Sequence, residues 1–271
     1  MESKGAQIGF LGVGQLGEPM VRRLIAAEHD VLVYARNAEI RERAAGYGAL
    51  LAESAIELAE SSQVMISCLF SDAQLREAGM GSHGFARHLR ENAVFVSHTT
   101  GAIESLSALA AAAGEAISIV DAPVSGTSAD VEAGTMTVLL GGEDHVVETV
   151  RRIVGAYACN IVHTGGFGSA LAVKSINNAL FTANAQLVAA ALELASNLGL
   201  PSAPVLEAIL ACSGTSGAAR AIAGFEDLRG FERAVSPVLT KDVGCALDLA
   251  GRAGVDADYL ATVIRTGPLT L

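Results

Sequence analysis

Four short segments carry residue types at spacings that could do chemistry. The first is Gly12-x-Gly14-x-x-Gly17, which follows the apolar run Gln7–Leu11 and opens a helical pattern. In such a turn the first Gly permits the tight bend and the second admits a pyrophosphate to the backbone. The third packs the helix on the strand. The helix N-terminus adds free N–H groups and partial positive charge for the phosphates. The second segment is Tyr34-Ala35-Arg36-Asn37, which ends the next apolar run, Asp30–Tyr34. A carboxylate here would accept from a ribose 2′-hydroxyl, and this chain has none. A guanidinium grips a 2′-phosphate through two N–H donors, which makes Arg36 a candidate NADP selector assisted by Asn37.

The third segment, Asp121-Ala122-Pro123-Val124-Ser125-Gly126-Thr127, follows the strand-like run 117–120. Ser125 and Gly126 could turn N–H groups and a hydroxyl toward an anionic substrate group, since ligands of open α/β sheets bind at strand C-termini. The fourth is Lys174-Ser175-Ile176-Asn177-Asn178 inside a long helical pattern. Lys174 and Asn178 are i, i+4 and share a face. Leu171, Val173, Ile176 and Leu180 around them make Lys174 a part-buried amine. Desolvation lowers a Lys pKa and makes it a serviceable general acid or base. Each segment also has a plainer reading: a Gly-rich turn, a solvated Arg, a Pro/Gly turn, a solvated Lys.

The elements that must position these residues alternate. Helical patterns at about 15–28, 37–46, 53–60, 102–114 and 143–157 lie between strand-like runs. Those runs fall at 7–11, 30–34, 64–69, 94–97, 117–120 and 136–140, with 161–162 a weaker one. Strand–helix alternation implies a mostly parallel sheet covered on both faces. After Gly165-Gly166-Phe167-Gly168 the pattern becomes helical, beginning with one helix over about 166–199, roughly 45 Å long. Further helix follows, including 203–211 and 239–252. The expected organisation is therefore an α/β, doubly wound Rossmann domain over 1–164 and an all-helical domain over 165–271. The long helix joins the two.

Composition narrows the class. The chain has 271 residues with 18 Lys+Arg against 29 Asp+Glu, a net charge of −11, which disfavours nucleic acid and anionic membrane as partners. Cys68, Cys159, Cys212 and Cys245 stand far apart with no Cys-x-x-Cys pair, so no metal or disulfide framework is expected. Met1-Glu2-Ser3-Lys4-Gly5 lacks the basic-then-apolar order of a signal peptide, and no clean apolar run reaches membrane-spanning length. A cytoplasmic protein is expected. The apolar faces of a 45 Å helix exceed what one chain can cover, which predicts a homodimer or a dimer of dimers.

Taken in order, these motifs resemble the β-hydroxyacid dehydrogenase family typified by 3-hydroxyisobutyrate dehydrogenase, along nearly the whole chain. Gly9–Met20 looks like its N-terminal cofactor signature, and Asp121–Gly126 with Gly134-Thr135 is similar to its substrate-loop signature. Gly165–Asn178 resembles its Gly-rich turn and interdomain helix, and Lys241-Asp242 its late Lys-Asp pair. The resemblance implies that Gly12, Gly14, Gln15, Leu16 and Gly17 hold the dinucleotide pyrophosphate. It places Leu69, Thr100 and Lys241 at the cofactor, and Ser125, Gly126, Thr127 and Asn178 at the substrate carboxylate. Lys174 is then the acid/base of hydride transfer between NADP(H), with NAD(H) also possible, and a small β-hydroxy acid or semialdehyde acid.

The chain departs from the family pattern in places. It has Thr99-Thr100, preceded by Ser97-His98, where Ser-Thr is common. Thr127 stands where a second Gly often does, and Leu16 replaces Met. Two other readings share the cofactor loop: an imine reductase, which usually lacks Lys at the position of Lys174, and a regulatory module that binds NADP without catalysis.

Overall fold

The computed structural model describes residues 7–271; the segment Met1–Gly5, read above for a signal peptide, lies outside them. The first half runs β1 (Ile8–Leu11), α1 (Gly17–Ala26), β2 (Val31–Tyr34), α2 (Ala38–Gly46), β3 (Leu50–Leu51), α3 (Ala55–Ser61) and β4 (Val64–Ser67). It continues through α4 (Asp72–Met80), β5 (Val94–Ser97), α5 (Ile103–Ala113) and β6 (Ser118–Asp121). Then come β7 (Val124–Ser125), α6 (Ser128–Ala133), β8 (Met136–Gly141), α7 (Asp144–Val154) and β9 (Ala158–Gly165). Five helices follow: α8 (Ser169–Asn197), α9 (Ser202–Ala211), α10 (Gly217–Ala223), α11 (Leu228–Ala253) and α12 (Asp258–Thr266). The chain divides into two compact units, Met1–Leu171 and Ala172–Leu271, and the division falls inside α8.

The sheet has the order β3-β2-β1-β4-β5-β6-β8-β7, with β9 beside β8. From β3 to β6 every pairing is parallel, whereas β8 runs antiparallel to β6 and β7. Side chains alternate across the sheet, so each strand feeds two cores. Ile8, Phe10, Val31, Val33, Val64, Ile66 and Val96 meet α1, α6 and α7 on one face. Leu32, Met65 and Phe95 meet α3, α4 and α5 on the other. The doubly wound Rossmann arrangement expected from the alternation is therefore present. Three short elements, β3, β7 and α6, were not expected, nor was the nine-residue α4, which buries only Leu75 and Gly79 and so shows little apolar periodicity.

In the second unit α8 is the core helix. Ala185, Val188, Ala189 and Leu192 pack with Ala218, Ala219, Ile222 and Phe231, while Ala179 and Ala183 pack with Val243 and Ile264. By length and composition alone α8 could cross a membrane, but half of its most apolar stretch is buried inside the protein. Gln186 clamps the end of the chain, donating to the carbonyls of Ile264 and Leu269 and accepting from the Leu269 N–H. α11 begins at Leu228, earlier than the expected 239, because Asp227 caps it through the Gly230 N–H at 2.6 Å. Pro237 is accommodated inside that helix, which hides the continuity from a sequence reading.

Two local constraints fix the strand ends that matter below. Gly12 has φ +97°, and a Cβ there would run into the Cys68 carbonyl oxygen; a Cβ on Gly17 would strike the Gly12 carbonyl oxygen. Strand β1, the turn and α1 can approach this closely only without side chains. At the end of β5, buried His98 joins Ala122 and Tyr157 through its two ring nitrogens, at 2.6 and 2.8 Å.

Both constraints have measurable consequences. Gly12→Ala and Gly17→Ala should each lose about 2–4 kcal/mol in urea unfolding, because the clashing atoms are backbone; losses within about 0.5 kcal/mol would contradict the packing. Burial pushes the His98 pKa down from 6.5 to about 4. The unfolded chain takes up that proton as pH falls through 6.5, and the folded chain only near 4. The stability His98 permits above pH 6.5 is therefore lost on acidification toward 4, by roughly 3 kcal/mol. Buried Asp121, whose carboxyl is raised by desolvation, works in the opposite direction, so the comparison is with His98→Gln. The wild type should lose more stability than the variant between about pH 7 and pH 4.5. Equal losses would contradict the buried neutral imidazole.

Candidate active site

The three glycines of the first loop answer to different demands. Gly12 and Gly17 are required by the protein's own packing, but a Cβ on Gly14 would meet nothing within 4 Å. α1 starts beside this open space with Leu16 as its N-cap and no side-chain cap bond. The Glu18 N–H is given to the Gly14 carbonyl at 2.9 Å and Pro19 has no N–H. What suits an anion here is the positive end of the helix with the open backbone at Gly14, and it fits the pyrophosphate of a dinucleotide. Gln15 is exposed and Leu16 half-buried, and a cavity of about 510 Å³ borders Val13, Gly14, Gln15, Arg22 and Arg43. Leu69, just past β4, leans over the loop, with its side chain 3.1 Å from where a Gly12 Cβ would be.

At the end of β2 the arginines separate by their partners. Arg41 pairs with Glu53 at 3.0 Å, and Arg43 and Arg22 share Glu18 at 2.8 and 3.2 Å. Arg36 is exposed and its guanidinium has no partner among the described residues. The Asn37 Oδ1 caps α2, accepting from the N–H groups of Glu39 at 2.8 Å and Ile40 at 3.4 Å. Its carbonyl oxygen is thus committed, while its amide N–H groups stay available.

Thr100 lies half-buried in the loop after β5, and Ser125 and Gly126 lie beyond β6. Ser125 pairs with Thr137 in the β7–β8 ladder and is exposed, and Gly126 has φ +142°, with Met136 Sδ 2.8 Å from where its Cβ would be. Thr127 is spent on α6. Its N–H and hydroxyl both donate to Asp130 Oδ2, at 2.6 and 2.7 Å, and its Oγ1 accepts from the Asp130 N–H at 3.4 Å, which completes a capping box. That leaves Thr127 no hydrogen to give a substrate.

Asp121 does more than open this loop. Its buried carboxylate accepts from the N–H groups of Gly168 at 2.7 Å and Leu171 at 2.8 Å, so it caps the start of α8. Burial raises its pKa while these bonds oppose the rise. Gly141 must lack a side chain because the carboxylate occupies the place of its Cβ. The sequence shows Asp121 only as the start of a loop, because its capping partners Gly168 and Leu171 are far along the chain.

In the second unit Lys174, Asn178 and Lys241 gather around Asp242. Asn178 Nδ2 donates to Asp242 Oδ2 at 2.6 Å, and Lys241 Nζ lies 3.3 Å from Asp242 Oδ1. That second contact is an ion pair, not a directed hydrogen bond, since Oδ1 has no hydrogen-bond donor. Asn177 Nδ2 donates to Asn178 Oδ1, so the amide is held from both ends. Lys174 is buried, and desolvation lowers its pKa against the pull of the Asp242 carboxylate. Asp242 is the site residue that sequence reasoning did not assign. Its signal was its place beside Lys241.

Comparison with known proteins gives this arrangement a family. Residues 7–165 match the family described as the NAD binding domain of 6-phosphogluconate dehydrogenase. Residues 168–266 match the NAD-binding family of NADP-dependent 3-hydroxyisobutyrate dehydrogenase. An uncharacterized oxidoreductase of Shewanella frigidimarina is 30% identical, over 95% of this chain and 90% of that protein. A 2-(hydroxymethyl)glutarate dehydrogenase of Eubacterium barkeri is 31% identical, over 93% of this chain and 84% of its own length. The fold is shared with a Mycobacterium tuberculosis 3-hydroxyisobutyrate dehydrogenase solved with L-serine. The TM-score is 0.83 at 24% identity, covering 96% of this chain and 91% of that one. The chain therefore belongs to the β-hydroxyacid dehydrogenase family typified by 3-hydroxyisobutyrate dehydrogenase, a family of nicotinamide-dependent oxidoreductases.

Proposed function

We propose that this protein is an NADP(H)-dependent dehydrogenase of small β-hydroxy acids, with Lys174 as its general acid/base. The observation that carries the reading is Lys174 itself: a buried amine with a lowered pKa, one helical turn from an asparagine that Asp242 fixes in place. When bound, the nicotinamide supplies the hydride acceptor for oxidation and the hydride donor for reduction. Lys174 Nζ takes the hydroxyl proton during oxidation and returns it to the alkoxide during reduction. The substrate carboxylate is assigned to Ser125 and the Gly126 N–H in the first unit, and in the second to the Asn178 Nδ2 hydrogen that is not given to Asp242. Thr127 shapes that loop instead of binding.

Cofactor roles follow the same lines. Gly12, Gly14, Gln15, Leu16 and Gly17 receive the pyrophosphate, and Leu69, Thr100 and Lys241 border the remainder. Arg36 is the arginine of its neighbourhood without an acidic partner, which supports its assignment to a 2′-phosphate, with the Asn37 amide assisting. The substrate class is drawn from the relatives' names. 2-(Hydroxymethyl)glutarate, 3-hydroxyisobutyrate and L-serine are all 3-hydroxypropanoates that differ in the group on carbon 2. The reading carries a cytoplasmic location with it.

Exposed apolar residues along α8 support self-association. Val173, Ile176, Leu180, Leu187, Leu194 and Leu198 are all exposed, at spacings of three, four or seven residues. A second copy of this chain offers a matching stripe. Light scattering should show a homodimer or dimer of dimers; particles of 27.6 kDa alone at micromolar concentration would refute it.

Absorbance of the reduced cofactor, followed with each of the three acids and NADP, should show turnover. Lys174→Ala should lower kcat by about a thousandfold or more while leaving cofactor affinity intact. Full turnover in that variant, or turnover of cyclic imines and not of the acids, would overturn the reading. Arg36→Ala should cut the preference for NADP over NAD by about tenfold or more; an unchanged ratio would remove Arg36 from the site.

A further inference from the structure

We propose that His98 is a positioning residue that locks the substrate loop to the end of β5. The imidazole is buried, and burial keeps it neutral, so only one ring nitrogen carries hydrogen. Its partners decide which. The Ala122 carbonyl, 2.6 Å from Nδ1, can only accept, so Nδ1–H donates. Nε2 is then an acceptor, and the Tyr157 hydroxyl donates to it at 2.8 Å. The two rings meet edge to face at 5.8 Å, and Tyr157 is fully buried.

These bonds span loops that carry different candidate site residues. Thr100 lies two residues beyond His98, while Ser125 and Gly126 lie three and four beyond Ala122. Pro123 sits between Ala122 and the loop, has a fixed φ and restricts the backbone before it. A displacement of the Ala122 carbonyl is therefore transmitted to Ser125 with little slack. Backbone bonds already join these strand ends, from His98 N–H to the Ser67 carbonyl and from Ala122 N–H to the Ser97 carbonyl, each 2.8 Å. The imidazole adds a side-chain tie between the ends of β5 and β6. Tyr157 precedes β9 directly and closes the knot from a third part of the chain.

This role rests on reading Ser125 and Gly126 as substrate residues, so the test has an arm that needs no substrate. An Asn amide at position 98 reaches the Nδ1 place, and a Gln amide reaches the Nε2 place. In hydrogen exchange, His98→Gln should speed residues 122–127 by about tenfold, while His98→Asn leaves them within about twofold of wild type. Residues 8–34 should be unchanged in both. Unchanged exchange at 122–127 in His98→Gln, or equal acceleration over 8–34, would overturn the proposal. If the Gln variant does not fold, His98→Asn decides alone: wild-type exchange at 122–127 supports the tie, and about tenfold faster exchange refutes it. In turnover of 3-hydroxyisobutyrate, His98→Gln should raise the substrate KM about fivefold or more with NADPH affinity within about twofold. A fall in kcat with KM unchanged would also overturn it. If the wild type turns over none of the three acids, the proposed function fails and the exchange result still judges His98.

Discussion

The carbonyl of Gly12 occupies the space that a side chain at position 17 would need, and the Cys68 carbonyl does the same to position 12. This backbone-to-backbone approach holds β1, the turn and β4 together and sets where α1 begins. What is assigned to the pyrophosphate depends on it: the helix start without a side-chain cap, the open space over Gly14, and Leu69 leaning over the loop. The constraint is severe because backbone atoms cannot rotate away as a flexible side chain can. It also explains why glycine is required here for two separate reasons, contact with the protein and room for a ligand.

Polar burial organises the rest of the chemistry. Asp121 is a carboxylate buried for the sake of two helix N–H groups, and His98 is an imidazole buried neutral between a carbonyl and a phenol. Asp242 is buried between an asparagine and a lysine. Asp121 and His98 are satisfied by partners far along the chain, and Asp242 holds Asn178 sixty-four residues away through Oδ2 while its Oδ1 has no hydrogen-bond donor, so each fixes one segment against another. The Asp242 carboxylate has a second consequence, because it favours the charged form of Lys174 while burial favours the neutral one. An amine under two opposed influences is suited to giving and taking a proton.

Much of this was legible in the residues. The glycine spacing, the apolar runs on either side of it, Arg36 and the Lys174–Asn178 pair are local patterns, and local patterns survive in sequence. The alternation of strands and helices announced the doubly wound sheet for the same reason. What could not be read was long-range or too short to be periodic. The capping of α8 by Asp121 links residues about fifty positions apart, and the Asn178–Asp242 bond links residues sixty-four apart. β7 has two residues, too few to show a period, and α6 is a six-residue helix that ends at a left-handed glycine. Pro237 disguised the single helix α11. Thr127 lay within a binding motif, and only its capping box shows that its hydrogens are already spent.

Gly14 offers the most direct separation of folding from binding. A Cβ there would meet no protein atom within 4 Å, so Gly14→Val should leave urea stability within about 0.5 kcal/mol of wild type. The same methyl groups stand in the space assigned to the pyrophosphate, so NADPH affinity, followed by the cofactor's fluorescence, should fall about a hundredfold or more. A stable Gly14→Val chain that binds NADPH as the wild type does would contradict the account at its centre.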